Sequence, residues 1–192
     1  IIVVKINFMK NSTKDIFKYA ALYGVILGLI LILWLTFDYI MGYYGQNKVL
    51  SNLNYLARML GIFVCILIFR NKVCGGYISF SKAFSFGLLT FIVAMLVLEI
   101  FVCLLVNVVD PNYLHVKANL MQQQLSEAGM HNRQIGEIVN TAIYMERPVW
   151  AVVIAVIGGS IVGSMISLVS ALILKKENKK TVYRKRNLKI KS

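Results

Sequence analysis

Four long apolar segments restrict this sequence to very few folds. They cover about residues 19–41, 52–69, 84–109 and 148–174. A helix of about 20 apolar residues crosses a hydrocarbon core of about 30 Å, and these segments have that order of length. Hydrophobic residues make up 58% of the chain and charged residues only 15%, which is typical of membrane proteins. We therefore predict an all-α integral membrane four-helix bundle, with the segments named spans 1 to 4 in chain order.

The spans divide the chain into five parts. These are an N-terminus (1–18), spans 1 to 3 (19–109), a polar stretch (110–147), span 4 (148–174) and a basic tail (175–192). Met9 followed by Lys10 resembles a natural start, so we expect Met9 to be the initiator. Span 1 is too long for a signal peptide and no small-residue cleavage site follows it, so we expect it to be retained. Residues 76–84 could form a short interfacial helix capped by Ser79 or Ser81.

The polar stretch has the pattern of two short amphipathic helices. Asp110 followed by Pro111 is a typical helix start, Gly129 suits a left-handed helix end, and Asn132 is the best cap for a second helix. Apolar residues recur at spacings of three and four, which places them on one face of each helix. These residues are Leu114, Ala118, Met121 and Leu125 in the first helix, and Ile135, Ile138, Ala142 and Met145 in the second. We predict a helical hairpin closed on its apolar faces. The alternative is two helices lying separately on the membrane surface.

The distribution of basic residues predicts the orientation. Lys and Arg are frequent in the N-terminus, in the loop between spans 2 and 3, and in the tail, whereas the loop between spans 1 and 2 has only Lys48. Because basic segments stay in the cytoplasm, we predict a multi-pass inner-membrane protein with both termini cytoplasmic and the hairpin extracytoplasmic. This distribution also explains the net charge of +13. Binding of the tail to nucleic acid is the alternative, but no recognition motif supports it, so we predict no nucleic-acid partner.

Span 4 carries small residues at every fourth position. This small-residue ladder consists of Ala155, Gly159, Gly163, Ser167 and Ala171. In lipid, such positions let two helix backbones approach closely. The ladder either joins two copies of the chain or packs against another span. We expect the second, because four spans have their own contacts to make.

Three ionisable residues interrupt the spans near the predicted extracytoplasmic side: Asp38, Arg58 and Glu99. At 1.5 Å per residue, Glu99 lies about 15 Å from the end of span 3. Ionisable residues inside a membrane are costly and usually pair or line a polar cavity. We predict that Arg58 pairs with Glu99, with Asp38 nearby. This polar cluster is either a structural ion pair or a site for a proton or a substrate.

Signatures of enzymatic chemistry are missing from the sequence. There is no phosphate-loop, zinc-protease or serine-hydrolase motif. His115 and His131 have no carboxylate or cysteine at ligand spacing, and Cys65, Cys74 and Cys103 form no CxxC pattern. We predict no catalytic residue, no metal site and no cofactor, and we interpret the cysteines as packing residues.

Several segments carry a family resemblance. They are residues 18–28, residues 76–84, Asp110-Pro111, Gln134-Ile135 and the Gly-rich span 4 followed by lysines. With these, the chain resembles a bacterial inner-membrane family of unknown function that has four spans and an outer helical segment between spans 3 and 4. The resemblance extends from Met9 over nearly the whole chain. It implies this fold and location, and it implies no particular activity.

Taken together, these features predict a non-enzymatic protein that acts by interaction. The spans would anchor it in the lipid bilayer, and the hairpin would contact an envelope membrane-protein partner or a second copy of the chain. The alternative is a small transporter or channel subunit that uses Asp38, Arg58 and Glu99. A water-filled outer cavity reaching Glu99 would favour that alternative.

Overall fold

The computed structural model describes residues 13–146 and 148–176. Within these residues the chain is helical, which confirms the predicted all-α fold. The elements are α1 (Thr13–Ile40), α2 (Lys48–Ile68) with a π-helical turn (Phe69–Val73), α3 (Phe80–Leu104) with a π-helical turn (Leu105–Val109), α4 (Tyr113–Glu127), α5 (Asn132–Met145) and α6 (Pro148–Leu174). The predictions for Met9, for Arg147 and for tail residues 177–192 lie outside the described residues.

Four helices of the described chain, α1, α2, α3 and α6, are long and apolar enough to cross a membrane. Helix α6 has the bounds predicted for span 4. Many large side chains on the outer faces are exposed, as lipid contact requires; Leu33 and Met165 are 71% and 68% exposed. The chain is therefore a multi-pass membrane protein by the length and composition of its helices.

Helices α1, α2 and α3 begin at residues 13, 48 and 80, each earlier than the predicted span starts of about 19, 52 and 84. Helix α2 begins at residue 48 instead of 52, because Asn47 Oδ1 accepts hydrogen bonds from the N–H groups of Val49 (3.0 Å) and Leu50 (3.1 Å). This side chain caps the helix early and shortens the loop after α1. Helix α3 begins at Phe80, so residues 76–84 form a turn and the first turn of α3. The separate interfacial helix predicted there is wrong.

Helix α3 lies at the centre of the bundle and packs along both α1 and α6, while α2 contacts all three. Gly24 and Gly28 make the close approach of α1 to α3 possible. A Cβ atom at Gly24 would lie 2.6 Å from Val93 Cβ, and one at Gly28 would lie 2.8 Å from Val97 Cβ. Two glycines four residues apart therefore form a seam of the kind that joins helices in lipid.

The bundle has a terminal end, which holds the first residues of α1 and the last of α6, and a hairpin end, which carries α4 and α5. Aromatic packing is tight at the terminal end, where the Phe69 and Phe86 rings stack with centroids 4.0 Å apart and Tyr23 packs edge-on at 5.9 Å. The buried residues of α2 are Ile62 and Ile66, both in its second half. The first half of α2 buries no residue, and cavities lie beside it at the hairpin end.

The polar stretch forms two helices, α4 and α5, which pack against each other as a hairpin. Helix α4 ends at Glu127, and Gly129, just past its C-cap, has φ +78°. The Gly129 N–H donates to the Ser126 carbonyl (2.9 Å), and the Met130 N–H donates to the Leu125 carbonyl (3.1 Å). These two bonds define a Schellman motif, and they confirm the left-handed helix end predicted at this glycine.

The predicted helix starts in the hairpin are each displaced. Helix α4 begins at Tyr113, because Asp110 and Pro111 lie in a turn in which Asp110 Oδ1 accepts a bond from the Asn112 N–H (3.0 Å). Helix α5 begins at Asn132, and His131 occupies the capping position that was predicted for Asn132. Displacements of one or two residues are usual at helix ends.

Candidate functional site

Three tyrosines join the hairpin to the end of α1. The ring centroids of Tyr39, Tyr44 and Tyr113 lie 5.3 to 6.0 Å apart, and the Tyr39 hydroxyl donates to Asp110 Oδ2 at 3.1 Å. Tyr113 is 4% exposed, and this burial raises the pKa of its hydroxyl, with the nearby Glu146 and Asp38 carboxylates adding to the effect. The Tyr113 hydroxyl therefore stays neutral. The cluster of the three tyrosines, named the tyrosine cluster, holds the base of the hairpin against the end of α1.

Asp38 is buried below the loop between α1 and α2. Its Oδ2 accepts a hydrogen bond from the Gly45 N–H at 2.5 Å, and the residue is 5% exposed. Tyr44 precedes this glycine with φ +50°, a strained conformation for a side chain of this size. Ser51 of α2 donates to the Gly45 carbonyl at 3.2 Å. Asp38 thus holds the loop in place, because a buried carboxylate needs hydrogen-bond donors.

The hairpin is also held by polar contacts farther from its base. Lys117 of α4 forms an ion pair with Glu146 at the end of α5, and both side chains are partly buried. Gln124 Nε2 donates to the Gln46 carbonyl in the loop after α1 at 2.9 Å. Together with the tyrosine cluster, these contacts fix the hairpin on the bundle.

Arg58 of α2 lies between two cavities at the hairpin end. A polar cavity of about 270 Å³ is lined by Trp34, Asp38, Ser51, Asn54, Arg58 and Lys117, among others. An apolar groove of about 570 Å³ runs between α2, α3 and α6 and is lined by Arg58, Met95, Glu99, Gly158, Val162 and Val169, among others.

The guanidinium of Arg58 has weak partners within the described chain. Its Nη1 lies 3.9 Å from Met95 Sδ, and its carbon lies 5.8 Å from the centroid of the Tyr55 ring. Its Nε atom and Asn54 Oδ1 are both buried without a hydrogen-bond partner. Both residues line the polar cavity. Buried polar atoms of this kind are costly unless another molecule satisfies them.

The structure brings the predicted polar cluster together only in part. Arg58 and Glu99 line the same groove, and Arg58 and Asp38 line the same polar cavity. The ion pair predicted between Arg58 and Glu99 is not formed: the salt bridges of the described residues are Lys117–Glu146 and Arg133–Glu137. The sequence placed these charges at similar depth but did not define how α2 and α3 are rotated toward each other.

The small-residue ladder of α6 lies against α3. A Cβ atom at Gly163 would lie 2.6 Å from Phe91 Cδ1, and one at Gly159 would lie 3.6 Å from Met95 Cγ. Ser167 and Ala171 are fully buried, whereas the side chain of Ala155 lies outside the described residues. The described ladder positions thus take part in packing within one chain.

The apolar faces of the hairpin differ from the predicted ones in α5. The predicted residues of α4 (Leu114, Ala118, Met121 and Leu125) are partly buried, and Ile135 and Ala142 of α5 are buried and partly buried. Ile138 and Met145 are exposed by 38% and 47%, and Val139 is buried in their place. Helix α5 is therefore rotated by about one residue relative to the predicted face, and part of its apolar surface points away from the hairpin.

Sequence reasoning missed the tyrosine cluster and the glycines of α1. The spacing of Gly24 and Gly28 was a usable signal, since small residues four apart favour close helix contacts in lipid. Tyr113 is too far in the sequence from Tyr39 and Tyr44 for any spacing rule to connect it with them. The described residues contain no group of three or more His, Cys, Asp or Glu residues that could hold a metal ion.

These features define a multi-pass helical membrane protein with a helical hairpin at one end and charged residues beside two cavities. Residues 22–176 match the family described as a protein of unknown function, DUF4199. The chain belongs to this family, because the match covers most of its length. This match confirms the resemblance, predicted from the sequence, to a family of unknown function with four apolar helices. No curated protein and no solved structure matches the chain.

Proposed function

We propose that this protein is a membrane-anchored accessory subunit that acts by interaction through its hairpin. The observation that carries the proposal is the exposed apolar face of α5. Ile138 and Met145 lie seven residues apart on one side of that helix, exposed by 38% and 47%. Tyr144 and Trp150 extend the surface to the start of α6, with ring centroids 5.8 Å apart. An apolar surface on an otherwise polar module is typical of a contact site.

The anchoring of the hairpin supports the same proposal. Its base is held by the tyrosine cluster, and its body is held by the Lys117–Glu146 ion pair and by Gln124. A surface presented on a fixed support binds a partner with a smaller loss of conformational freedom than a mobile one. The partner in this proposal is another envelope membrane protein or a second copy of the chain.

Location and orientation are part of the proposal. Arg70, Lys72, Lys82 and Lys175 lie in or beside the loops of the terminal end, whereas the hairpin end has few basic residues. The positive-inside rule then favours both termini in the cytoplasm and the hairpin outside an inner membrane. Labelling of Gln123→Cys by a membrane-impermeant thiol reagent in intact cells should succeed. Labelling only after the cells are lysed would place the hairpin in the cytoplasm instead.

The interaction itself is tested by photo-crosslinking in cells. A p-benzoylphenylalanine residue at position 138 or 145 should produce a discrete crosslinked protein band, because both positions face outward on α5. The same group at Gln123, which is exposed on α4, serves as the matched control. Equal crosslinking from all three positions, or crosslinks to lipid alone from position 138, would contradict the proposed contact surface.

The alternative function, a small transporter or channel subunit using Asp38, Arg58 and Glu99, has less support. It requires a solvated outer cavity that reaches Glu99. The polar cavity is lined by Asp38 and Arg58, and Glu99 is not part of its lining. We therefore place the interaction role first.

A further inference from the structure

We propose that the apolar groove beside Arg58 binds one aminophospholipid molecule. In this complex Arg58 holds the lipid phosphate, Glu99 holds the primary ammonium of the head group, and an acyl chain lies between α2 and α6. The proposal rests on the two cavities and on unpaired charges beside them, and it does not depend on the hairpin having a protein partner.

The first support is the charge arrangement. Arg58 and Glu99 line one groove and attract each other at a distance, yet neither takes part in a salt bridge among the described residues. Each charge is costly inside a membrane unless a partner of opposite sign compensates it. A ligand that carries a phosphate and an ammonium a few bonds apart would compensate both charges at the same time.

The second support is an unsatisfied donor. Arg58 Nε is buried without a hydrogen-bond partner, and Arg58 lines both the groove and the polar cavity. A phosphate oxygen accepts hydrogen bonds from a guanidinium in a geometry that few other groups match. The structure therefore offers a donor for the phosphate where the apolar groove meets the polar cavity.

The third support is the shape and chemistry of the groove. Its lining follows α6 from Ile154 to Val169, with Gly158, Val162 and Met165 between them. At 1.5 Å per residue this stretch is about 22 Å long. Apart from the two charges at its head, it is lined almost entirely by apolar side chains. A groove of this length suits an extended acyl chain better than it suits a soluble metabolite.

Head-group chemistry separates this proposal from general lipid contact. An ethanolamine ammonium has three N–H donors for the Glu99 carboxylate, whereas a choline head group has none. A phosphatidylglycerol head group carries the phosphate but places no positive charge near Glu99. The expected order of affinity is therefore phosphatidylethanolamine above both of the others, at equal acyl chains.

The experiment is a lipid titration of the purified full-length protein in detergent, followed by native mass spectrometry. Phosphatidylethanolamine, phosphatidylcholine and phosphatidylglycerol with identical acyl chains are added separately. Arg58→Gln should weaken phosphatidylethanolamine binding by about 10- to 100-fold, as expected for the loss of a hydrogen-bonded charge pair. Glu99→Gln should remove the preference for phosphatidylethanolamine over phosphatidylglycerol. Arg133→Gln, an exposed arginine on α5, is the control for loss of a positive charge.

A second variant tests the groove without touching its charges. A Cβ atom at Gly158 meets only Ile154 Cγ2, at 3.9 Å, so Gly158→Leu can be accommodated and its side chain would fill the groove. It should abolish binding of all three lipids, whereas Gly136→Leu, at a position on α5 with open space around it, should leave binding unchanged. If Arg58→Gln fails to fold, the Gly158→Leu result and the head-group order decide the question.

Three results would overturn the proposal. One is equal binding of the three lipids to the wild-type protein. Another is unchanged phosphatidylethanolamine binding in Gly158→Leu. The last is full competition by soluble phosphoethanolamine, which would show a head-group site without any role for the groove.

Discussion

Replacing Gly163 by alanine should destabilise the bundle, whereas the same replacement at Gly158 on the same helix should not. A Cβ atom at Gly163 would lie 2.6 Å from Phe91 Cδ1 and 3.1 Å from its Cγ. Phe91 is only 2% exposed, so its ring has little room to move away. At Gly158 the nearest neighbour of the added Cβ is Ile154 Cγ2, at 3.9 Å, which is an ordinary contact.

The magnitude follows from two opposing terms. Alanine favours a helix interior over glycine by about 1 kcal/mol, and this gain applies at both positions. Overpacking against a well-packed ring costs about 1–3 kcal/mol, and this cost applies only at Gly163. The propensity terms cancel in the comparison. The free energy of unfolding of Gly163→Ala should therefore lie about 1–3 kcal/mol below that of Gly158→Ala.

The assay is unfolding by SDS titration in detergent micelles, followed by the helical circular dichroism signal, with light scattering to record the oligomeric state. Adding Phe91→Leu to Gly163→Ala should recover part of the lost stability, because the smaller side chain can make room. Equal unfolding free energies for the two alanine variants would refute the packing of α6 on α3. Dissociation of a dimer by Gly163→Ala, with no loss of monomer stability, would instead assign the ladder to contact between copies.

Other predictions concern the hairpin. Lys117→Met should speed hydrogen exchange in α4 and α5 and lower the free energy of unfolding by about 1–3 kcal/mol, because the partly buried Glu146 carboxylate would lose its partner. Adding Glu146→Leu to this variant should restore part of the protection from exchange. No change in either variant would contradict a role for the ion pair. Gly129→Ala should destabilise the hairpin by about 1–2 kcal/mol, because the φ of +78° at Gly129 disfavours a side chain. Gly136→Ala, at a position with open space around it, should not destabilise the hairpin. Equal hydrogen exchange in the two variants would contradict this prediction. Because burial raises the pKa of Tyr113, its hydroxyl ionises at a lower pH in the unfolded chain than in the folded one. The buried hydroxyl therefore contributes fully to stability below pH 10.0, the ordinary pKa of tyrosine, and this contribution is lost as the pH rises above that value. Stability measured across that range should fall less steeply for Tyr113→Phe, and identical slopes would contradict the burial of this hydroxyl.

Predictions from the sequence were correct for features that depend only on residues close together in the chain. Span 4 was predicted with the bounds of α6, because its apolar run begins at a proline, which suits the first helical position, and ends directly before two lysines. The helix end at Gly129 followed from the one residue type that tolerates a left-handed conformation there. Family membership was also accessible from sequence, and the match over residues 22–176 confirms it.

Tertiary structure decided the rotation of each helix about its own axis. In α5, Ile138 and Val139 are neighbouring apolar residues, and only the position of α4 determines that Val139 is buried while Ile138 is exposed. Arg58 and Glu99 line the same groove without forming a salt bridge, which the positions of the two residues in the sequence did not indicate. A span that is apolar on all sides has no polar face, so its sequence does not indicate which side points into the bundle.

The sequence by itself therefore determined how many helices are long and apolar enough to cross a membrane, approximately where they begin and end, and which ionisable residues lie among them. These properties depend on the thickness of the bilayer and on the chemistry of single residues. Only the tertiary structure decided which side chains meet across the helices. It joined Tyr39, Tyr44 and Tyr113 into one cluster and placed Arg58 between two cavities, because those contacts arise from packing between segments that are distant in the chain.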